Sequence, residues 1–426
     1  MTAPALSNKA LADAVENLPQ NALSPTRQAA LAQFLERGFP TTRLEDWKYT
    51  NLDEIVDISR RWLENGAPLP ATAALEDRIA EVRASIDADW LVVANGRIAD
   101  GVLDAAIPGI TIKALSELPE GPDFGRPLAD LNAALLSDGL HISFSREAQQ
   151  KRPLGLLIID SAESDPGVSQ IRIVIDVASD AQAQLIEYHT STGKAGHYSN
   201  SVIDCTLAKG ASAQYVRVQN RDLQHSQTQR TGVQLAAQSV LRYCGFDLGG
   251  QLIRNDLDID IAGSEADAEI NGLYVAGEGQ HIDNHVRVDH RTGPARSAQE
   301  YRGILGGRCR CVWNGKAIVH EGADGTDAEQ GNHNLLLTEG AEIDAKPELE
   351  IYADDVKCSH GTTVGQLDEA ALFYLRTRGL DRQEATRALT RAFGATIVSR
   401  LPIASLAESL TAMVESRLRE LSGGEA

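Results

Sequence analysis

Positive charge is what this chain has least of. Forty Lys and Arg stand against 60 Asp and Glu, a formal net charge of -20 over 426 residues. Nucleic acids and anionic membranes are held by Lys and Arg excess, so neither is an expected partner. Long apolar runs are missing too: nothing approaches the roughly 20 residues of a membrane span. Met1 to Glu16 lacks the apolar stretch of a secretory signal, so a cytoplasmic location is expected. The cysteines (Cys205, Cys244, Cys309, Cys311 and Cys358) are an odd set without disulfide-framework spacing. In a reducing compartment they stay thiols. Aromatics make up only 5% of the chain and Gly supplies 36 residues, which implies a core of Val, Ile, Leu and Ala between many turns.

Familiar catalytic constellations are absent as well. Gly193-Lys194-Ala195 and Gly315-Lys316-Ala317 lack the flanking glycine and the hydroxyl of a phosphate-binding loop. There is no Gly-x-Ser-x-Gly, His-Glu-x-x-His or Cys-x-x-Cys pattern. A scaffold or accessory role fits this better than an enzyme acting alone.

What is present falls into three regions: a mainly helical part over 1–152, a β-rich core over 153–358 and a helical part over 359–426. Early on, Ser24 is placed to cap a helix that begins at Pro25 and ends at Gly38, with Ala29, Leu31, Phe34 and Leu35 as its stripe. Trp90 to Ala94 reads as a strand, and loops are expected around Pro119 to Pro127. Beyond residue 153 the period becomes two, as in Ile171, Ile173, Ile175 and Val177. Small-polar pairs recur at Ala183-Gln184, Ala213-Gln214, Ala268-Glu269, Ala298-Gln299 and Ala328-Glu329, with gaps of 30, 55, 30 and 30 residues and an off-register copy at Ala237-Gln238. Short strands at that period indicate a right-handed parallel β-helix, α+β overall and mainly β, with a Val/Ile/Leu core.

The C-terminal part returns to a helical period. Asp368 is positioned to cap a helix carrying Leu372, Phe373 and Leu375 and closed by Gly379. Asp381 and Glu384 form a capping box for the next, with Ala385, Leu389 and Phe393 on one face. A last helix carries Leu406, Leu410, Met413, Val414 and Leu418. These stripes imply a helical subdomain packing on itself.

The chemistry concentrates between the core and these helices. A strand from Leu349 to Tyr352 runs into Asp354-Asp355-Val356-Lys357-Cys358-Ser359-His360-Gly361. A thiol and an imidazole two residues apart, on a loop and beside a glycine that admits a ligand, form a partial site for iron or a cluster. His360 is the candidate metal ligand and Cys358 its companion, with the remaining ligands supplied from elsewhere. The competing reading makes Cys358 a buried thiol and His360 a cap on the next helix. A second group, His281, His285 and His290 with Asp283 and Asp289, does not make a triad. On a strand His290 lies opposite the other two, so a solvated solenoid face is expected. Cys309 and Cys311 share one strand face between Arg308 and Arg310, and inward-facing core thiols are expected there, with some sensitivity to oxidation.

The Cys358–His360 run, followed by Leu372-Phe373-Tyr374-Leu375-Arg376-Thr377-Arg378-Gly379, resembles the C-terminal signature of SufD-like members of the SufB/SufD family. Arg43-Leu44-Glu45-Asp46-Trp47-Lys48-Tyr49-Thr50 is similar to their N-terminal mark. The resemblance implies an accessory scaffold for iron–sulfur cluster assembly. Its partners would be a SufB-like paralogue met through the β-helix and a SufC-like ATPase met through the C-terminal helices. It implies His360 at the paralogue interface and a transient iron or nascent cluster shared there, none tightly held by the isolated chain, which could pair with itself. The SufB-like sulfur-accepting cysteine has no counterpart in Gln330-Gly331-Asn332-His333-Asn334-Leu335. Two other readings stay open: a secreted-type β-helix polysaccharide lyase, opposed by the charge, and an iron-binding homodimer without partners.

Overall fold

The computed structural model describes residues 6–65, 72–118 and 125–422. Part of the loop expected around Pro119 lies outside them. The chain opens with helices α1 (Asn8–Glu16), α2 (Ser24–Arg37), α3 (Asp53–Asn65) and α4 (Ala73–Ser85). Strands β1 (Asp89–Ala94), β2 (Arg97–Ile98) and β3 (Ile110–Ala114) precede α5 (Pro127–Leu135) and β4 (Leu140–Phe144). Ser24 turns out to lie inside α2 rather than to cap it. Its hydroxyl accepts the Asn21 N–H, while the Asn21 side chain accepts that of Leu23. The buried stripe is Arg27, Ala30, Leu31 and Phe34, because Leu35 faces outward.

The solenoid follows. Its first strands are β5 (Leu154–Ser161), β6 (Gly167–Val177), β7 (Gln182–Thr192), β8 (His197–Leu207) and β9 (Ser212–Asn220). Next come β10 (His225–Leu235), β11 (Val240–Asp247), β12 (Leu252–Ile261), β13 (Asp267–Ala276) and β14 (His281–His290). The last are β15 (Arg296–Leu305), β16 (Arg310–Val319), β17 (Asp327–Leu336), β18 (Glu342–Ile351) and β19 (Lys357–Gly365). Each strand pairs in parallel with the strand two along, which separates odd strands into one sheet and even strands into the other. Such pairing without helical crossovers is a parallel β-solenoid.

The register explains the repeat. Ala183 lies beside Ala213, Ala213 beside Leu241, Leu241 beside Ala268, Ala268 beside Ser297 and Ser297 beside Ala328. The 55-residue gap therefore holds a whole turn in which Leu241 takes the alanine slot. The Ala298-Gln299 pair is one residue out of step, since Ala298 lies beside Glu269 and Glu329.

Both outer faces are covered along most of their length. Helices α1 to α3 and α5 lie on the even sheet through Leu11, Phe34, Ile55, Ile58 and Leu131 against Val168, Tyr198 and Leu252. The odd sheet is covered by α4 and by the C-terminal helices α7 (Arg382–Val398) and α8 (Ala407–Ser422), while α6 (Glu369–Thr377) packs on α7. Ile397, Leu410, Val414 and Leu418 pack against Phe246, Leu273, Val275 and Ile304. The C-terminal stripes are thus buried on the solenoid rather than only on one another. Each such side chain contributes about 1.5–3 kcal/mol of burial. The expected caps are present: Asp368 accepts the Ala370 N–H, and Asp381 and Glu384 form the full capping box.

Candidate functional site

The two ends of the solenoid are unlike. At the start, β2 and β3 pair antiparallel to β1 and β4 and close the sheets off. At the finish, among the described residues, β18 pairs only with β16 and β19 only with β17, so each leaves an edge. Pro347 sits in the middle of β18, where its missing N–H is tolerated because the strand is an edge.

Cys358 and His360 lie on β19, within a strand and not on a loop. Cys358 is in register with Ala328 and His360 with Gln330, both buried lumen positions. Register partners in parallel strands point the same way, so thiol and imidazole face the lumen side together. Cys358 is half-buried and His360 exposed, since no further turn lies over β19. Gly361 has ordinary strand geometry with open space at its Cβ position, so no special backbone is needed there. His360 does not cap α6; Asp368 does. Burial pushes the Cys358 thiol up, an N–H from Ala328 partly offsets this, and Asp327 adds to the rise. In the single chain Cys358 is therefore a thiol and not an activated thiolate. Beside these two, the inner face of β18 offers Ile343, Ala345, Pro347, Leu349 and Ile351, only partly covered. Among the described residues, no group of three His, Cys, Asp or Glu side chains converges as a metal site. One chain presents a thiol and an imidazole beside the partly covered apolar face of β18.

The Trp47 segment forms a strap across the outer face of β12, β14 and β16. Arg254 holds it: its guanidinium lies 4.4 Å from the Trp47 ring centroid and donates to the Asp46 carbonyl at 2.8 Å. The same group pairs with Asp283 at 2.6 Å and Asp256 at 2.7 Å. Thr50 donates to Asp283 and bonds the His281 ring at 2.8 Å. Glu45 reaches Lys346 on β18 at 2.9 Å. Burial opposes ionisation of Asp283, but Arg254 and the neighbouring histidines win and hold it well below the usual carboxylate range. His281 and His285 do share a face, and His290 lies opposite, inside the lumen against Ser297 at 2.8 Å. The face is not solvated, however, because the strap covers it and Asp283 is 1% exposed.

Strap, solenoid and open end all fall within two family matches. The SufBD core domain, described as SUF system FeS cluster assembly, matches residues 158–393. The SufBD N-terminal region matches residues 9–118. The chain belongs to the SufBD family. It is 29% identical over 400 residues to the iron-sulfur cluster assembly protein SufD of Escherichia coli, covering 93% of each chain. A SufBD family protein of Synechocystis is 27% identical over 438 residues, 97% of this chain and 94% of that one. The SufD of Bacillus subtilis is 25% identical over 299 residues, 68% and 67% of the two chains. The SufD-like signature read in the sequence thus agrees with full-length similarity to SufD proteins, and this chain is an iron–sulfur cluster assembly protein of that family.

This SufBD solenoid also has an interior that the sequence reading did not anticipate. The lumen is apolar on one side only. On the other, Glu187 bonds His189 at 2.5 Å and accepts from Tyr215 at 2.5 Å and Gln229 at 2.7 Å. Asp160 accepts from Arg221 at 2.6 Å and Ser169 at 2.5 Å, and Asp247 pairs with Arg217 at 2.8 Å. All of these side chains are buried. The clue was in the alternation, since Asp160, Glu187 and His189 occupy the inward phase set by Ile158 and Leu185. Ser169 also meets the His197 ring at 2.9 Å, yet this is no hydrolytic triad. The acid bonds the serine directly, and the histidine's other nitrogen has no partner to orient it.

Proposed function

We propose that this chain is the non-catalytic scaffold subunit of a Suf assembly complex, working in the cytoplasm. Its open end pairs with a SufB-like subunit, and His360, with Cys358 beside it, contributes to the site where iron is acquired and a nascent cluster forms. Iron and sulfide are cargo here and not a resident cofactor. The observation that carries this reading is the position of His360, on the lumen face of a terminal strand with one open edge in a SufBD family chain. An unpaired edge is a ready template for another strand, and a cluster takes about four protein ligands, so a two-ligand end calls for a second chain. In isolation the same edges are available to a second copy.

The C-terminal helices dock a SufC-like ATPase in this reading. Phe373 and Tyr374 on α6 are 68% and 56% exposed, large apolar surfaces left uncovered by the solenoid. Only Gln366, Leu367 and Asp368 separate β19 from α6. Motion imposed on α6 by nucleotide turnover in the partner therefore reaches the His360 strand through a short tether, and no nucleotide loop is needed in this chain.

The test is anaerobic co-expression with SufB-like and SufC-like partners, comparing wild type, His360→Ala and Cys358→Ser. Complex assembly is read by co-purification, and cluster content by visible absorption and iron counting. The expected result is complete assembly in all three with loss of most of the cluster in His360→Ala. Equal cluster content in wild type and His360→Ala would remove His360 from the site.

A further inference from the structure

We infer that Cys309 and Cys311 are a redox modification site, closing to a reversible intrachain disulfide one turn beneath the open end of the solenoid. The two thiols are 2% and 0% exposed and belong to one lumen cluster. They lie at the turn into β16, and Cys309 sits just ahead of the strand. Burial alternates from Arg308 to Cys311, so both thiols, two residues apart, face the lumen together. Arg308 and Arg310, exposed on either side of Cys309, leave the pair one residue from solvent.

The pair is asymmetric in the way a dithiol switch needs. The neighbouring Cys311 thiol, with nearby backbone N–H groups, draws the Cys309 thiol down against its burial. Burial pushes the Cys311 thiol well up. Cys309 is thus the attacking sulfur and Cys311 the resolving one. The other cysteines lack such a neighbour. Burial raises Cys205 to about 12 and raises Cys244 further, and Cys358 is half-buried and raised.

With a peroxide as oxidant the step balances. The Cys309 thiolate attacks one peroxide oxygen, the O–O bond breaks, and the departing hydroxide takes a proton and leaves as water. Cys309 is then a sulfenic acid. Cys311 attacks that sulfur, the S–S bond forms, the S–O bond breaks and a second water departs. Two thiols have lost two electrons and two protons, and the peroxide has been reduced.

The geometry also makes the bond reversible and gives it an effect. An extended residue pair spans up to about 7 Å between its Cα atoms, whereas a relaxed disulfide prefers about 5.5–6 Å. Closing the ring draws the start of β16 inward by roughly 1 Å, and a strained disulfide is readily reduced. The Cys309 carbonyl accepts the Glu342 N–H at 2.9 Å, the bond that seats the first residue of β18. Cys311 lies in register with Ile343. Oxidation therefore loosens the beginning of the last even strand.

The experiment treats the full reduced chain with hydrogen peroxide, alkylates after unfolding, and maps the peptides by mass. Expected is loss of two hydrogens in the peptide holding Cys309 and Cys311, reversed by dithiothreitol, with about tenfold faster amide exchange at Glu342. In Cys311→Ser a dimedone adduct should accumulate on Cys309. If both thiols remain alkylatable while the other cysteines oxidise, or only sulfinic acid appears, the inference fails. The wild-type mass decides even if the variant does not fold, and neither readout depends on the partners proposed above.

Discussion

Arg254 is a charged side chain where the outer face of a sheet should be wet, and it is 2% exposed in the side chain. It stays there because Asp283, Asp256, the Asp46 carbonyl and the Trp47 ring together replace its water. Removing one member of a buried pair leaves the other charge uncompensated, which costs about 3–5 kcal/mol. Arg254→Ala should therefore lower stability by that order in a urea titration, shift Trp47 emission to the red as the strap detaches, and expose Asp283. Unchanged stability would mean that the strap is held by something else. The sequence marked the run from Arg43 to Thr50 through its resemblance to a family motif and separated His290 from His281 and His285 by strand phase. It did not show that Thr50 closes over His281, a contact 231 residues apart, because local patterning carries no information about which distant surface a loop covers.

Strands and helices were legible where the signal is periodic or a cap is chemically distinctive. The capping box at Asp381 and Glu384, the strand ending at Ala94 and the two-residue alternation from Ile171 all came from short-range rules. The amphipathic stripes of the last helices were equally clear, but a stripe shows that a face is buried without showing against what. Hence Leu410 and Val414 were assigned to a self-packed subdomain and lie on Leu273 and Ile304 as well. The extent of β19 was missed for a related reason. The core was bounded at residue 358 and the helical part begun at 359, and pairing of Thr362, Thr363 and Val364 with Asn332, His333 and Asn334 carries the strand past that boundary. Its unpaired edge yields a prediction at this scale. Ile351 and Val364 are 43% and 52% exposed on the two terminal strands. Changing both to Lys should alter stability by less than about 0.5 kcal/mol yet abolish self-pairing and co-purification with the paralogue, since charge on an edge blocks strand addition. Pairing that survives the double change, read by sedimentation, would place the interface elsewhere.

For the molecule as a whole, the half-polar lumen sets how the fold responds to acid. Burial lowers His197 to about 4, His225 to about 3 and His290 to about 4, from an ordinary value of 6.5. A depressed histidine is neutral in the folded state while the unfolded chain takes up its proton from pH 6.5 downward. The unfolded state then binds more protons, so stability falls as pH falls, beginning near 6.5 and continuing until the folded pKa is reached. Above pH 7 these residues contribute no slope. At its limit each of these depressions corresponds to roughly 3–5 kcal/mol. Asp160 acts in the same direction at lower pH. Although burial opposes it, His197 and Arg221 bring it to about 2, so its contribution is present above 3.8 and lost below. The urea midpoint should hold steady from about pH 8 to about pH 7 and then drop steeply toward about pH 5, well before most surface carboxylates titrate. His290→Gln keeps a polar group near Ser297 and removes one titration, so it should make that slope shallower. A midpoint that stays level down to about pH 5 would show that the lumen histidines take up protons in the folded state, and that the buried polar side of the solenoid is open to water.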